Sequence, residues 1–265
     1  MPETLKIAAC QMRVCDSIDE NAAKISEMLF RAKSLGASLA VFPECAVCGY
    51  PPLLYKSPDE IPIEIVEAAN ARLGDVVAQA GIAAVVGTIV KSSKGDLLNS
   101  ALIFEEDGHL AGRADKIHMF KDDAVFFKPG NEIKVFELCG IKTGVPICYD
   151  IRFPEQFRLL KDAGAELVIV PLHAIGPESW KLPVFEGTFR TRAAENVFYL
   201  AAINAASPNQ TCASRICDTN GVSLAEAAIG NEEIITADLD LNIPKSSIYA
   251  DRRTDLYEVR LKSGN

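Results

Sequence analysis

The stretch LKIAACQMRVCDSIDENAAKISEMLFRAKSLGASLAVF, residues 5–42, places two apolar runs on either side of a segment with helical periodicity. Residues 5–11 and 37–42 are largely apolar, which is typical of strands covered on both faces. Residues 16–36 carry alanine, isoleucine, methionine, leucine and phenylalanine at helical spacing and end at a glycine. This order predicts a β-α-β unit, and therefore a sheet that is covered by helices.

The same alternation continues along the chain, with a long loop predicted between residues 116 and 131 because neither period is present there. Further helices are predicted at 61–80, 153–164 and 177–195. Further strands are predicted at 82–90, 97–104, 109–115, 133–138, 141–147, 166–171, 197–204, 222–227 and 234–239. We find no repeat or linker, so we expect one domain over residues 1–265 with a polar tail at 243–265.

Composition excludes several classes of protein. The 27 basic and 36 acidic side chains give a net charge of −9, which argues against a nucleic-acid binder that depends on bulk electrostatics. The apolar stretches are shorter than the roughly 18 residues of a membrane helix, and the first residues lack the basic region of a secretory signal. We therefore expect a cytoplasmic protein without a membrane partner, in which most of the eight cysteines are core thiols.

Three reactive side chains come directly after predicted strands: Glu44, Lys116 and Cys148. Ligands of α/β proteins bind beyond the carboxyl ends of strands, so these three side chains can converge on one pocket. There a carboxylate can take the proton of a thiol, the thiol can attack a carbonyl carbon, and an ammonium can stabilise the oxyanion. Each residue alone is more often an ordinary surface or core residue, and only the three together indicate nucleophilic catalysis.

Five short motifs then give the chain a resemblance to the nitrilase superfamily of carbon–nitrogen hydrolases, from Lys6 to about Leu241. The motifs are Phe42-Pro43-Glu44, Asp115-Lys116-Ile117-His118, Phe127-Lys128-Pro129-Gly130, Ile147-Cys148-Tyr149-Asp150-Ile151-Arg152-Phe153-Pro154-Glu155 and Arg192-Ala193-Ala194-Glu195-Asn196. Each is weak by itself, but all five in this order are highly specific.

The resemblance implies an α/β fold of four layers, the α-β-β-α sandwich. It implies that Glu44 is a general base, Lys116 an oxyanion stabiliser and Cys148 the nucleophile. It also implies a homodimer, or a higher oligomer built from dimers, in which sandwiches pack against each other. Neither a cofactor nor a metal is expected.

One position departs from the pattern of the family. Members commonly carry a second glutamate seven residues before the glycine of the Phe-x-Pro-Gly motif, and here that residue is Asp123. Three interpretations are open. Either Asp123 does the work of that glutamate from a shifted loop, or Asp122 replaces it, or the site is adapted to a bulkier substrate. We rank these three interpretations in that order.

The residues that follow Cys148 resemble those of the amidase branches, whereas true nitrilases usually have Trp-Glu there. We therefore expect a hydrolase that releases ammonia from a small amide through a thioester. Tyr149, His173 and Trp180 are expected substrate contacts, although Trp180 is equally explained as a half-buried packing residue. The alternatives are a nitrile hydrolase, an N-carbamoyl amide hydrolase, or a non-catalytic binding protein that keeps the fold.

Two competing signals are weaker. Cys45 and Cys48 have redox or zinc-like spacing, but a structural zinc site needs two more ligands, and Cys212 and Cys217 are too far apart in sequence to match. A histidine base is also disfavoured because Glu44 already offers a base. We expect His118 to pack beside Lys116 instead.

Overall fold

The computed structural model of the protein describes residues 3–178, 180–242 and 247–262. Within these residues the chain forms two six-stranded sheets. The first has the order β12-β1-β2-β3-β4-β5 and contains β1 (Thr4–Gln11), β2 (Leu39–Val41), β3 (Ala83–Lys91), β4 (Leu97–Phe104), β5 (Leu110–Asp115) and β12 (Glu233–Asp240). The second has the order β11-β10-β9-β8-β7-β6 and contains β6 (Val135–Leu138), β7 (Ile141–Gly144), β8 (Leu167–Leu172), β9 (Tyr199–Asn204), β10 (Arg215–Cys217) and β11 (Ser223–Glu226).

The helices are α1 (Ile18–Ser34), α2 (Pro51–Leu54), α3 (Ile63–Ala80), α4 (Asp123–Phe126), α5 (Pro154–Asp162) and α6 (Lys181–Asn196). Short 3-10 helices span Pro58–Glu60, Cys148–Arg152 and Ser247–Tyr249. Helix α1 begins after Ser17, whose side chain accepts a hydrogen bond from the backbone N–H of Glu20, and α3 ends at Gly81 in the left-handed conformation. Both ends follow ordinary capping rules.

The centre of each sheet is parallel: β1, β2 and β3 run together, and so do β7, β8 and β9. Strand β1 pairs with β2 through Ile7–Leu39 and Ala9–Val41, with α1 as the connection. The predicted β-α-β unit is therefore confirmed. Strands β4 and β5 form antiparallel hairpin pairs that extend the first sheet, and this leaves β5 pointing the same way as β2.

Alternate residues of the strands face different cores. In β1, Ile7 and Ala9 lie in the cluster between the two sheets, whereas Ala8 and Cys10 pack under α1 and α3. Strand β8 alternates in the same way, with α5 and α6 on its outer side. The layers are therefore helix, sheet, sheet and helix, and the expected α-β-β-α sandwich is confirmed.

Several details differ from the sequence-based predictions, among them the short helix α2 and the 3-10 helices, which were not predicted. The helix predicted at 177–195 begins only at Lys181, and the strand predicted at 141–147 ends at Gly144, close to Pro146, which has no N–H to donate to a strand ladder. The loop predicted at 116–131 contains the one-turn helix α4, and β10 was not predicted because its three residues are too few to show a period.

In the predicted tail, residues 243–246 and 263–265 lie outside the described part of the chain, and residues 248–262 are mostly exposed. Among the helices that are described, none is both long and apolar enough to cross a membrane.

Candidate active site

Glu44, Lys116 and Cys148 meet at one end of the sandwich. Glu44 follows β2 and Lys116 follows β5, so the first sheet supplies both residues from the same edge. Cys148 comes from the second sheet, beyond the end of β7. Lys116 Nζ lies 2.8 Å from Glu44 Oε1, and the Cys148 thiol lies near enough to the Glu44 carboxylate for the carboxylate to raise the pKa of the thiol. The convergence that the strand ends predict is thus present in the structure.

Both oxygens of the Glu44 carboxylate are held. Oε1 accepts a hydrogen bond of 2.8 Å from Asn99 Nδ2 in addition to its contact with Lys116, and Oε2 accepts one of 3.0 Å from the backbone N–H of His173. Gly87 of β3 makes room for the turn that begins at Glu44, because a Cβ at Gly87 would lie 2.1 Å from the Pro43 carbonyl oxygen. The orientation of Glu44 is therefore fixed from both sheets.

The Lys116 ammonium lies between two carboxylates. Its Nζ atom is 2.8 Å from Glu44 and 2.7 Å from Asp123 Oδ2, and all three side chains are buried. The ring of Tyr50 lies 5.9 Å from the same nitrogen, within the range of a cation–π contact. A lysine held on several sides presents its charge from a fixed point.

Asp123 occupies the place expected for the second carboxylate. It is buried at the start of α4, where it accepts hydrogen bonds from the Tyr50 hydroxyl and from the backbone N–H of Phe120, the latter at 2.8 Å. Its neighbour Asp122 is exposed. The structure therefore brings Asp123, and not Asp122, to the lysine, as our first-ranked interpretation expects.

Cys148 sits in a strained backbone conformation. Its φ angle of 48° lies in the left-handed region, which is uncommon for residues other than glycine and is often found at functional sites. It opens the 3-10 helix Cys148–Arg152, and part of its surface is accessible. In this conformation the thiol lies beside Glu44, whose carboxylate raises the pKa of the thiol.

The charges of the site set the resting protonation states. Burial raises the pKa of the Cys148 thiol and the Glu44 carboxylate raises it further, which outweighs the lowering by Lys116. Burial alone would raise the pKa of Glu44, but the ammonium of Lys116 brings it below its ordinary value. Burial would lower the pKa of Lys116, yet Glu44, Cys148 and Asp123 raise it. The resting site therefore holds a carboxylate, an ammonium and a neutral thiol.

A further buried carboxylate, that of Asp150, connects the backbone around Cys148 with the segment that follows Lys116. Its Oδ2 accepts hydrogen bonds from the backbone N–H groups of Ile147 at 2.9 Å and Ile117 at 3.4 Å. Its Oδ1 accepts one from the backbone N–H of His118 at 2.8 Å and lies 2.7 Å from His118 Nδ1. His118 also stacks on Phe153, with 3.7 Å between ring centroids.

The three expected substrate contacts differ in their surroundings. His173 stacks on Tyr50 with 5.2 Å between centroids, and burial lowers its pKa, so its ring is neutral beside Glu44. Tyr149 packs against Phe120, with 5.1 Å between centroids. Trp180 is 56% exposed and precedes α6. Its substrate contact stays a prediction, as do those of Tyr149 and His173.

The alternative use of Cys45 and Cys48 finds no support in the described residues. Both side chains are buried, and all eight cysteines are free thiols within the part of the chain that the structure describes. No group of three or more histidine, cysteine or acidic side chains suited to a metal ion occurs among those residues.

Sequence reasoning missed Asn99, Tyr50 and Asp150. Asn99 lies inside β4 and Tyr50 in the loop before α2, so neither follows a strand end. Asp150 stands in the motif around Cys148, but two of its partners, Ile117 and His118, are 33 and 32 residues away in the sequence. An asparagine within an apolar strand was the one available signal, because a buried amide needs a partner.

A thiol, a carboxylate and a lysine assembled on an α-β-β-α sandwich define the class of cysteine-dependent hydrolases of the nitrilase superfamily, in its amidase-like branch. The model of the carbon–nitrogen hydrolase family matches residues 6–246, and the chain belongs to that family.

Named relatives agree with this assignment. Omega-amidase NIT2 of Xenopus tropicalis is 31% identical over 97% of this chain and 98% of its own length. Omega-amidase NIT2 of Homo sapiens is 27% identical over 98% and 99% of the two chains. Among solved structures, a mutant of the amidase from Nesterenkonia sp. AN1 superposes with a TM-score of 0.84 at 26% identity, and the match covers 95% of each chain. That mutant carries the acetamide moiety of fluoroacetamide on its active site cysteine. The chain is accordingly a cysteine-dependent hydrolase of amide carbon–nitrogen bonds.

Proposed function

We propose that the chain hydrolyses a small amide through a thioester on Cys148. The observation that carries this proposal is the 2.8 Å contact of the Glu44 carboxylate with the Lys116 ammonium, at the site where the same carboxylate raises the pKa of the Cys148 thiol. The sulfur attacks the carbonyl carbon while its proton passes to Glu44, and the oxyanion forms beside Lys116 and a backbone N–H of the cysteine turn. The carbon–nitrogen bond then breaks, and the proton on Glu44 leaves with ammonia.

The second half of the reaction repeats these proton transfers with water as the nucleophile. Glu44 takes a proton from a water molecule, whose oxygen attacks the thioester carbon. The carbon–sulfur bond breaks, the sulfur regains the proton from Glu44, and the carboxylic acid departs. Asp123 holds the Lys116 ammonium throughout, since it contacts the same Nζ atom as Glu44 does.

We further propose that the substrate is an ω-amide, whose other end is a carboxylate. Relatives named Omega-amidase support this substrate class. Lys121 and Lys181 support it independently, because their Nζ atoms lie 5.1 Å and 5.8 Å from the centre of the Phe120 ring, which packs on Tyr149 beside the nucleophile. Glu178 balances one of these charges through its 3.0 Å contact with Lys181. The remaining positive charge suits an anionic group.

Ammonia release from succinamate and butyramide tests this function, because the two amides have equally long chains and differ in the terminal carboxylate. We expect release from both, with a higher kcat/KM for succinamate, and no release by Cys148→Ala. Equal values for the two amides would remove the ω-amide assignment and leave amide hydrolysis intact. Faster release from butyronitrile than from butyramide would overturn amide hydrolysis itself.

The assembly and location of the chain are also proposals. We propose that the chain is cytoplasmic and forms a homodimer. Large apolar side chains on the tail support the homodimer: Leu256 is 69% exposed, Tyr257 56% and Leu261 57%. Burial of such exposed apolar groups against a second copy lowers the free energy of the assembly. Light scattering should give the mass of a dimer, and a chain shortened to residues 1–246 should shift toward a monomer; a monomeric full chain would contradict this.

A further inference from the structure

We propose that Asp150 is a positioning residue for hydrolysis, which fixes the distance between the Cys148 sulfur and the Lys116 ammonium. The inference rests on the proposed function of those two residues. Asp150 touches neither of them, and its effect passes through the backbone on each side.

Asp150 binds both halves of the site with one carboxylate. Ile147, which donates to Oδ2, immediately precedes the nucleophile and belongs to the second sheet's segment. Ile117 and His118, which donate to Oδ2 and Oδ1, immediately follow Lys116 on the first sheet's segment. The nucleophile and the lysine are therefore each one residue away from an N–H that Asp150 holds.

The strain at Cys148 gives this connection its importance. A residue with a φ angle of 48° keeps that angle only if its surroundings enforce it. The Asp150 carboxylate holds the N–H of Ile147, and the backbone N–H of Asp150 donates to the Ile147 carbonyl at 3.1 Å, so that both backbone groups of the residue before the cysteine are fixed. The 3-10 helix Cys148–Arg152 fixes the backbone on the other side. Loss of the carboxylate would let the turn relax and carry the sulfur away from the lysine.

The chemistry of the position requires a carboxylate. The four atoms within hydrogen-bond distance of the Asp150 carboxylate in the described residues are nitrogens, and three of them are backbone N–H donors. A carboxylate offers two accepting oxygens, whereas the NH₂ group of an asparagine would face an N–H donor on one side. Asp150→Asn therefore keeps the shape of the side chain and removes acceptors from either Ile147 or His118.

The test is a double-mutant cycle of Asp150→Asn and Lys116→Met, measured with p-nitrophenyl acetate so that slow variants remain measurable. If Asp150 acts by placing Cys148 against Lys116, Asp150→Asn should lower kcat about 50-fold with Lys116 present and less than about threefold in the Lys116→Met background. KM should change by less than about threefold in both. Equal losses in the two backgrounds would overturn the proposal.

The matched control is Gln11→Leu. Gln11 is also buried and ties segments of both sheets, through hydrogen bonds with Ala228, Gln210 and Ser214, but it contacts none of the proposed catalytic residues. Its variant should lose thermal stability while its kcat remains within about threefold in either background. A kcat loss in Gln11→Leu that also vanishes with Lys116→Met would show that any weakened sheet contact gives this pattern, and would overturn the assignment to Asp150.

His118 provides a second route if Asp150→Asn does not fold. His118→Asn keeps a side-chain donor that reaches Asp150, and His118→Leu does not. We expect Leu to lower kcat about 10-fold and Asn to restore it to within about threefold of the original. Equal activity of the two variants would overturn the proposal. Cys148→Ala reports separately on the proposed function: an unchanged rate in that variant would overturn the nucleophile assignment, and the positioning role with it.

Discussion

At the scale of single residues, the site depends on a carboxylate that two partners share. The Glu44 carboxylate is charged because Lys116 lies beside it, and the Cys148 thiol is neutral partly because that carboxylate is charged. Base and nucleophile are therefore poised for proton transfer in a single step, without a thiolate that would react with other electrophiles in the resting enzyme.

Replacement of the nucleophile should stop turnover without loss of structure. Cys148→Ser keeps the size and hydrogen-bonding ability of the side chain, but a hydroxyl is a far weaker nucleophile than a thiolate at neutral pH. We expect kcat for ammonia release to fall at least about 1,000-fold, with an unchanged circular dichroism spectrum. A variant that kept a tenth of the activity, while Cys45→Ser abolished it, would show that the nucleophile lies elsewhere.

The two neighbouring aspartates should differ sharply. Asp123→Asn removes the second charge against Lys116, and we expect a loss in kcat of about 100-fold. Asp122→Asn alters an exposed side chain and should leave kcat within about twofold. Asp123→Glu keeps the charge but shifts its position, so partial activity is expected. Steady-state ammonia release measures kcat for each variant. A large loss of kcat in Asp122→Asn together with an unchanged kcat in Asp123→Asn would reverse the assignment.

At the scale of secondary-structure elements, β3 approaches the Glu44 turn closely at Gly87. A Cβ there would lie 2.1 Å from the Pro43 carbonyl oxygen and 2.8 Å from the Glu44 Cα. Gly87→Ala must therefore move the turn, at a cost of about 2 kcal/mol in the free energy of unfolding. We expect kcat to fall as well, because the turn carries the base.

Urea unfolding and ammonia release measure the two effects of Gly87→Ala. Gly95→Ala is the matched control, since its glycine lies in a β-turn where a Cβ would meet no atom within 4 Å, although its φ of 88° disfavours a side chain. Backbone strain alone should thus destabilise Gly95→Ala without a change in kcat. Equal kcat values for both variants would mean that the turn does not move.

The sequence predicts elements well where a period extends over many residues. Helices α1 and α3 and the β1-α1-β2 unit all show a clear alternation of apolar residues, and strand ends locate Glu44 and Lys116. Prediction fails where structure depends on contacts between distant segments. Asn99 meets Glu44 across 55 residues and Tyr50 meets Asp123 across 73, and no local pattern encodes such pairs.

At the scale of the whole molecule, the buried pair Glu44–Lys116 should give the stability a characteristic pH dependence. The lowered pKa of Glu44 stabilises the fold above the unfolded value of about 4.3, and this contribution is lost as the pH falls through the folded value. The raised pKa of Lys116 stabilises the fold below about 10.4, and this contribution is lost as the pH rises through the folded value.

Urea unfolding measures this dependence as the difference in free energy between the wild type and the double variant Glu44→Gln, Lys116→Met. We expect this difference, wild type minus variant, to be constant between about pH 5 and pH 10 and to change in favour of the variant outside that range. The test uses the change of this difference with pH and not its value on the plateau, because removal of a whole buried ion pair can leave the stability unchanged. A slope within the plateau would show that another group titrates against the pair.

The division of the site between two sheets has a consequence for how the chain acquires activity. Base and lysine come from one sheet and the thiol from the other, so neither sheet alone can turn over an amide. During refolding, circular dichroism reports strands and helices as they form, but ammonia release begins only when the sandwich closes. The recovery of activity therefore measures the rate at which the two sheets dock, and a partly assembled chain has no activity.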